Sequence, residues 1–128
     1  MKTSKLALTL LASATLAACS AYQTKTAAPA MMSGDMLTGS NGMSLYVFDK
    51  DAAGSGKSMC NGPCATNWPP LYATEGAMST GDYSVVARDD GKNQWAFKGK
   101  PLYYWAKDAK PGDKTGDGFN NVWHLAKP

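Results

Sequence analysis

The sequence predicts a mainly β fold: a small antiparallel β domain built from two degenerate repeats, preceded by a signal peptide and a disordered tether. The first observation is an internal repeat, in which residues 45–51 (Leu-Tyr-Val-Phe-Asp-Lys-Asp) return as residues 102–108 (Leu-Tyr-Tyr-Trp-Ala-Lys-Asp), 57 positions later. An internal repeat reflects architecture. The second observation is that short aromatic or alternating runs are separated by Asn-Gly and Asp-Gly pairs, which is typical of meander-type β-hairpins.

The first 18 residues are predicted to be a lipoprotein signal peptide. Two lysines precede an apolar run over residues 6–18, which is too short to span a bilayer as a mature helix. The run ends in Leu-Ala-Ala before Cys19, which resembles the bacterial lipobox and implies cleavage before Cys19 and lipid attachment to its sulfur. Ser20 follows, which in Gram-negative bacteria implies sorting to the outer membrane. We therefore expect an exported protein anchored there and facing the periplasm; an ordinary secreted protein with a chance cysteine is the alternative.

Cleavage would leave 110 of the 128 residues, enough for one domain. Two of the 13 basic residues leave with the signal peptide, so 11 face 10 acidic residues and the mature net charge is near +1. No basic cluster stands out, and we expect no nucleic-acid binding.

Residues 19–34 are predicted to be a lipidated flexible tether, because Gln, Thr, Lys, Ala and Pro dominate and no apolar period is present. The β domain is expected over residues 35–128. Met31, Met32 and Met36 lie near the boundary, where thioethers can ligate copper(I). Without a nearby histidine, flexible filler at the domain edge is the preferred interpretation.

The first half-repeat, about residues 35–72, is predicted to start with a strand over residues 35–38, a turn over 39–42 and a return strand over 43–48. It looks like a shortened version of the second half.

Four side chains of this return strand alternate between its faces, with Leu45 and Val47 on one side and Tyr46 and Phe48 on the other. Both faces are apolar or aromatic, so we expect the strand to be covered on both sides.

The second half-repeat, about residues 82–126, is predicted to be a three-strand meander. Its strands are expected over residues 83–88, 93–97 and 102–105, with residues 122–125 closing the chain as a short edge strand. Each half-repeat leads to a tryptophan, Trp68 and Trp123, and we expect Trp68 to enter the core.

Two cysteines remain if Cys19 is lipidated, and an even pair in an exported protein favours a Cys60–Cys64 disulfide. The alternative is a copper or thiol redox site, in which reduced Cys60 and Cys64 act with Met59 and His124.

The two aspartates that end the motif strands, Asp51 and Asp108, are expected to accept backbone hydrogen bonds in Asx-turns. Acid or metal-binding roles are the alternative. The aromatic residues of both motifs are expected to build the core of a small domain. A platform for a sugar or another flat ligand is the alternative.

A partial calcium-loop pattern runs from Asp113 to Asn121. The twelfth position holds His124 instead of the bidentate glutamate of an EF-hand, so we expect no calcium there.

Several short elements now coincide. They are the lipobox, Cys-x3-Cys, Trp-Pro-Pro-Leu, Asp-Gly-x-x-Gln-Trp, Gly-x-Pro-Leu-Tyr, and two Tyr-x-aromatic-x-x-Asp motifs formed by Tyr46, Phe48, Asp51 and by Tyr103, Trp105, Asp108. Together they resemble the bacterial predicted lipoproteins with a Tyr-x-(Phe/Trp/Tyr)-x-x-Asp motif, the secreted-repeat family. The resemblance covers about residues 36–123. It implies a class of protein and carries over no catalytic residue.

We therefore expect a lipid-anchored envelope protein that acts as a non-enzymatic binding or structural module without a cofactor. Its partners would be the membrane, through the N-terminal lipid, and an envelope protein or glycan. The copper or thiol redox protein is the alternative function.

Overall fold

The computed structural model describes residues 28–128, and the predicted signal peptide and Cys19 lie outside them. Residues 28–128 contain eight short strands, one α-helix and one 3₁₀ turn. In chain order these are β1 (Met31–Ser33), β2 (Met36–Thr38), β3 (Tyr46–Phe48), α1 (Pro63–Asn67), β4 (Tyr72–Ala73), β5 (Tyr83–Ala87), β6 (Asn93–Phe97), β7 (Lys100–Pro101), the 3₁₀ turn (Phe119–Asn121) and β8 (Trp123–Leu125). The fold is mainly β, as predicted. Neither of the two helical segments in residues 28–128 has the length and apolar character needed to cross a membrane.

All the strand pairs in the described part of the chain are antiparallel, and they form three small sheets. β1 pairs with β2, β3 pairs with β8, and β6 lies between β4 and β5 with β7 also paired to it. Because β3 belongs to the first half and β8 to the second, their pairing interlocks the two halves.

The meander of the second half is confirmed, with a shorter third strand than expected. β7 starts at Lys100, two residues before the predicted third strand, and pairs only with the end of β6. The chain then leaves β6, and Tyr103 makes single bridges to Tyr46 and Pro70. In the predicted third strand, Leu102 is therefore still bonded to Trp95 of β6, whereas Tyr103 pairs with Tyr46 and Pro70.

The motif strands separate two layers of core. The aromatic core contains Met36, Tyr46, Cys60, Trp68, Tyr103, Trp105, Trp123 and Leu125. The aliphatic core contains Ala30, Leu37, Leu45, Leu71, Leu102 and Ala126. Tyr46 and Phe48 face the aromatic core, and Leu45 and Val47 face the aliphatic core. The prediction that this strand is covered on both sides is confirmed.

The predicted tether ends too late, because the folded domain already includes residues before position 35. Ala30 is buried in the aliphatic core, and Met31–Ser33 forms β1. The side chains of β1 are exposed, so its composition resembles that of a linker. Backbone pairing with β2 holds it in the domain, and composition does not report such pairing.

Candidate functional site

The two motifs meet backbone to backbone at their tyrosines. The Tyr46 amide donates to the Tyr103 carbonyl at 2.8 Å, and the Tyr103 amide donates to the Tyr46 carbonyl at 3.0 Å. Both side chains are fully buried. This reciprocal pair relates the two halves by an approximate two-fold axis that passes between the tyrosines.

The side chains of the motifs are exchanged across this axis. The Tyr46 hydroxyl donates to Asp108 Oδ2 at 2.7 Å, and the Tyr103 hydroxyl donates to Asp51 Oδ2 at 2.5 Å. Each tyrosine is therefore bonded to the aspartate of the other motif. We call these two interactions the crossed pairs.

The second oxygen of each aspartate fastens the loop that follows its motif. Asp51 Oδ1 accepts the Met59 amide at 2.6 Å. Asp108 Oδ1 accepts the Thr115 amide at 3.0 Å and the Thr115 hydroxyl at 2.6 Å. The expected Asx-turns are wrong in their geometry, because these donors lie eight and seven residues along the chain. The local turns are closed by backbone bonds instead, from the Asp51 amide to Phe48 and from the Asp108 amide to Trp105.

Burial sets the protonation of the tyrosines. It raises the pKa of the Tyr46 and Tyr103 phenols well above the usual range, and the hydrogen bond to a carboxylate raises it further. Both phenols therefore stay protonated and act as donors.

The carboxyl group of Asp51 is subject to opposing effects. Burial raises its pKa, while the hydrogen bonds from Tyr103 and Met59 and the charge of Arg88 lower it by less. The net result is a pKa above the usual value for an aspartate.

Four aromatic rings form a continuous stack beside the crossed pairs. Phe48 stacks on Trp123 at 4.2 Å between ring centroids, Trp123 on Trp68 at 3.8 Å, and Trp68 on Trp105 at 3.9 Å. Successive rings come alternately from the first and the second half of the chain.

The buried tyrosines contact this aromatic stack edge-on, Tyr46 against Trp68 and Tyr103 against Trp123. Trp68, Trp105 and Trp123 are all buried, as expected for a core. The stack therefore offers no open platform to a flat ligand.

A family model described as a secreted repeat of unknown function matches the chain twice, over residues 31–72 and 84–127. The two matches together span more than half of the sequence. The chain belongs to this secreted-repeat family. No curated protein and no solved structure shows a significant match to it.

Each matched repeat corresponds to one half of the fold. It starts with a hairpin, β1–β2 or β5–β6, and continues through one motif. The first match contributes Trp68 to the aromatic stack, and the second contributes Trp105 and Trp123. The first match starts at Met31, in β1, which is earlier than the boundary expected from composition. The family membership inferred from the motifs is confirmed.

Arg88 is a buried residue whose burial the sequence does not indicate. Its Nη1 donates to Ser58 Oγ and Gln94 Oε1, and its Nη2 to the Cys60 carbonyl, all at 2.9 Å. Ser58 Oγ lies 2.7 Å from the Tyr103 hydroxyl, so Arg88 connects β5 to one crossed pair. An arginine after a strand and before two aspartates is usually an exposed turn residue, and nothing in the sequence marks this one as buried.

Cys60 and Cys64 form a disulfide at the start of α1, with Cα atoms 5.2 Å apart. Met59 is exposed. The His124 side chain lies on the opposite face of β8 from Trp123, and its Nε2 is 2.8 Å from Asp49 Oδ2. The structure therefore does not assemble the four proposed copper ligands.

The calcium-loop and methionine alternatives also have no matching geometry within residues 28–128. Within residues 28–128, no three His, Cys, Asp or Glu side chains are grouped so that they can hold a metal ion. In the partial calcium loop, Asp113 accepts the Ala109 and Lys110 amides, and Asp117 accepts the Leu125 amide. These carboxylates serve separate backbone donors. Met31 and Met32 are exposed while Met36 is buried.

An open groove of about 400 Å³ lies over the β3–β8 sheet and the end of β6. We call it the basic groove. Its apolar lining consists of Val47, Phe97, Leu125, Ala126 and Pro128, and its polar lining consists of Asp49, Lys98, Lys100, His124 and Lys127. The sequence does not indicate this groove, because its lining comes from three separate parts of the chain.

Proposed function

We propose that this secreted-repeat protein is a lipid-anchored, non-enzymatic binding module of the cell envelope. The paired motifs form its rigid scaffold, and the basic groove receives its ligand. One observation carries the proposal: across residues 28–128, every fully buried side-chain nitrogen or oxygen already has a hydrogen-bond partner within the chain. The polar groups of the motifs are thus occupied by one another.

Because the polar groups of the motifs already bond to one another, they are poor candidates for a catalytic role. A general acid, base or nucleophile must reach the reacting group of a substrate within hydrogen-bonding distance. Tyr46 and Tyr103 are fully buried, and Asp51 and Asp108 are nearly so. Each of these groups stabilises the contact between the halves.

The basic groove supports the binding role. Its volume lies within the range of about 300–1,000 Å³ that is usual for small-molecule sites. Its floor rests on the β3–β8 sheet, which the crossed pairs and the aromatic stack hold rigid. A preorganised site of this kind loses less entropy on binding than a mobile one.

Nuclear magnetic resonance of the isotope-labelled domain tests the binding role. We expect a panel of neutral, cationic and anionic aromatic fragments to include members that shift the amide signals of Val47, Phe97 and Leu125. Signals of Tyr46 and Tyr103 should move little, because their surroundings are closed. A panel without binders, or binders that map elsewhere, would contradict the proposed site.

The anchoring role depends on Cys19 and is tested separately. We expect the mature protein from a Gram-negative host to start at a diacylated Cys19 and to fractionate with outer membranes. The Cys19→Ser variant should be released in soluble form. Unmodified Cys19 in the mature protein would contradict the anchoring proposal and leave the groove unaffected.

A further inference from the structure

The lining of the basic groove carries more positive than negative charge. Three lysines, Lys98, Lys100 and Lys127, line the groove with one acidic side chain, Asp49, which is already 2.8 Å from His124. Lys127 lies 3.8 Å from Asp35, but both groups are largely exposed, and such a pair contributes little. In the part of the chain that the structure describes, Lys98 and Lys100 make no ion pair.

Lys98 occupies a backbone conformation that suits a different residue. Its φ is 47°, and Gly99 follows with φ 80°, as in a hairpin turn that favours Asn-Gly. A lysine there carries conformational strain, which is typical of functional positions. The Nζ of Lys98 lies 5.3 Å from the centroid of the Phe97 ring, so its charge is held at the edge of the groove.

The approximate symmetry of the halves shows that the fold itself does not require these lysines. Leu37 and Trp95 make equivalent backbone bonds, to Leu45 and Leu102. Lys98 therefore corresponds to Ser40 when positions are counted from the first strand and to Asn41 when they are counted from the second, and neither residue is basic.

The same comparison applies to the other end of the groove. Ala126 and Leu71 are also equivalent, since their amides donate to Leu45 and Leu102, so Lys127 stands where Tyr72 stands. Core residues occur at equivalent positions in both halves, whereas the basic residues of the groove occur in the second half only.

We infer that the basic groove binds a small organic anion, and this inference rests on the proposed function. The apolar body of the ligand lies on Val47 and Phe97. Its carboxylate or phosphate lies between Lys98 and Lys100, where charge-assisted hydrogen bonds are stronger than neutral ones. The volume of the groove fits one such molecule and does not fit a folded partner.

A matched pair of probes tests this ligand class: 2-naphthoate and its neutral analogue 2-naphthalenemethanol. We expect naphthoate to bind the intact domain about tenfold more tightly and to shift the amide signals of the groove. Its advantage should shrink as sodium chloride rises toward about 1 M, where the Debye length falls to about 3 Å. Phenyl phosphate should compete with naphthoate, since it offers the same combination of ring and anion.

Each outcome of the probe experiment has a distinct meaning. If the two naphthalene probes bind the groove equally, the anion inference is wrong while the binding module stands. If the neutral fragments of the panel bind there and naphthoate does not, the inference is also wrong. If no fragment of any charge binds the groove, both proposals fail.

Lys98→Asn separates ligand binding from folding. Asparagine tolerates positive φ, so the melting temperature should stay the same or rise. Binding of naphthoate should weaken about three- to tenfold, because a charge-assisted contact is lost. Lys57→Asn removes the same charge from an exposed loop outside the groove and should leave binding unchanged. Equal affinities for the two variants would overturn the inference.

Discussion

The hydroxyl group of Tyr103 has two partners in the core, Asp51 and Ser58. Tyr103→Phe removes the hydroxyl and leaves a buried carboxylate with one donor fewer. We expect a loss of about 1–3 kcal/mol in the free energy of unfolding, measured with urea. Tyr72→Phe is the matched control, because Tyr72 is exposed and its hydroxyl should matter by no more than about 0.5 kcal/mol. Equal stability of the two variants would show that the crossed pair contributes nothing.

The carboxyl group of Asp51 predicts an unusual pH dependence. Burial raises its folded-state pKa, whereas the unfolded chain titrates near about 3.9. Between these values the folded state binds more protons than the unfolded state, so stability falls as pH rises through this window. Asp51→Asn does not titrate at this position. The stability of the wild type relative to this variant should therefore decrease as pH rises from about 3.5 through the folded-state pKa.

The same pair of unfolding profiles can contradict this sign. A stability difference that grows with pH would mean that the hydrogen bonds from Tyr103 and Met59, together with Arg88, outweigh the effect of burial.

The sequence predicts the role of a residue when that role depends on residues nearby in the chain. It does not predict roles that depend on residues far away in the chain. The burial of Tyr46 follows from the apolar and aromatic side chains on both faces of its strand, and Tyr103 occupies the equivalent position of the repeat. The partners of Asp51 and the burial of Arg88 depend on the docking of the two halves, and local sequence contains no record of that docking.

The disulfide loop is the element whose contribution can be removed most cleanly. The ring between Cys60 and Cys64 is small, so the chain-entropy model gives it about 2 kcal/mol. We expect reduction of the wild type to lower the free energy of unfolding by about this amount without loss of the fold. The Cys60→Ala/Cys64→Ala variant, which buries no new hydroxyl in the core, should not respond to reductant. A wild type that does not respond would contradict this expectation.

The sequence predicts the positions of strands with a clear hydrophobic alternation better than those of strands without one. β5 and β6 alternate and flank an Asp-Gly turn, so they were expected close to their observed positions. β1 is held by backbone bonds to β2 with exposed side chains, and its composition resembled a linker. β7 is only two residues long because the chain turns away from β6 after it, and Tyr103 pairs with Tyr46 instead.

At the scale of the folded domain, two repeats of a single chain are interlocked. β3 of the first half pairs with β8 of the second, and the aromatic stack draws its rings alternately from the two halves. Neither half can complete its own crossed pair. The repeat was visible in the sequence, but the exchange of partners was not, because bonds within one motif would preserve the same repeat.

The most direct test of this account is a pair of double-mutant cycles in the free energy of unfolding. One cycle combines Tyr46→Phe with Asp108→Asn, whose side chains are bonded across the two halves. The other combines Tyr46→Phe with Asp51→Asn, which belong to the same motif and share no hydrogen bond. We predict a coupling energy of about 1 kcal/mol or more in the first cycle and no more than about 0.5 kcal/mol in the second. A coupling within the motif that equals or exceeds the coupling between the halves would contradict the account.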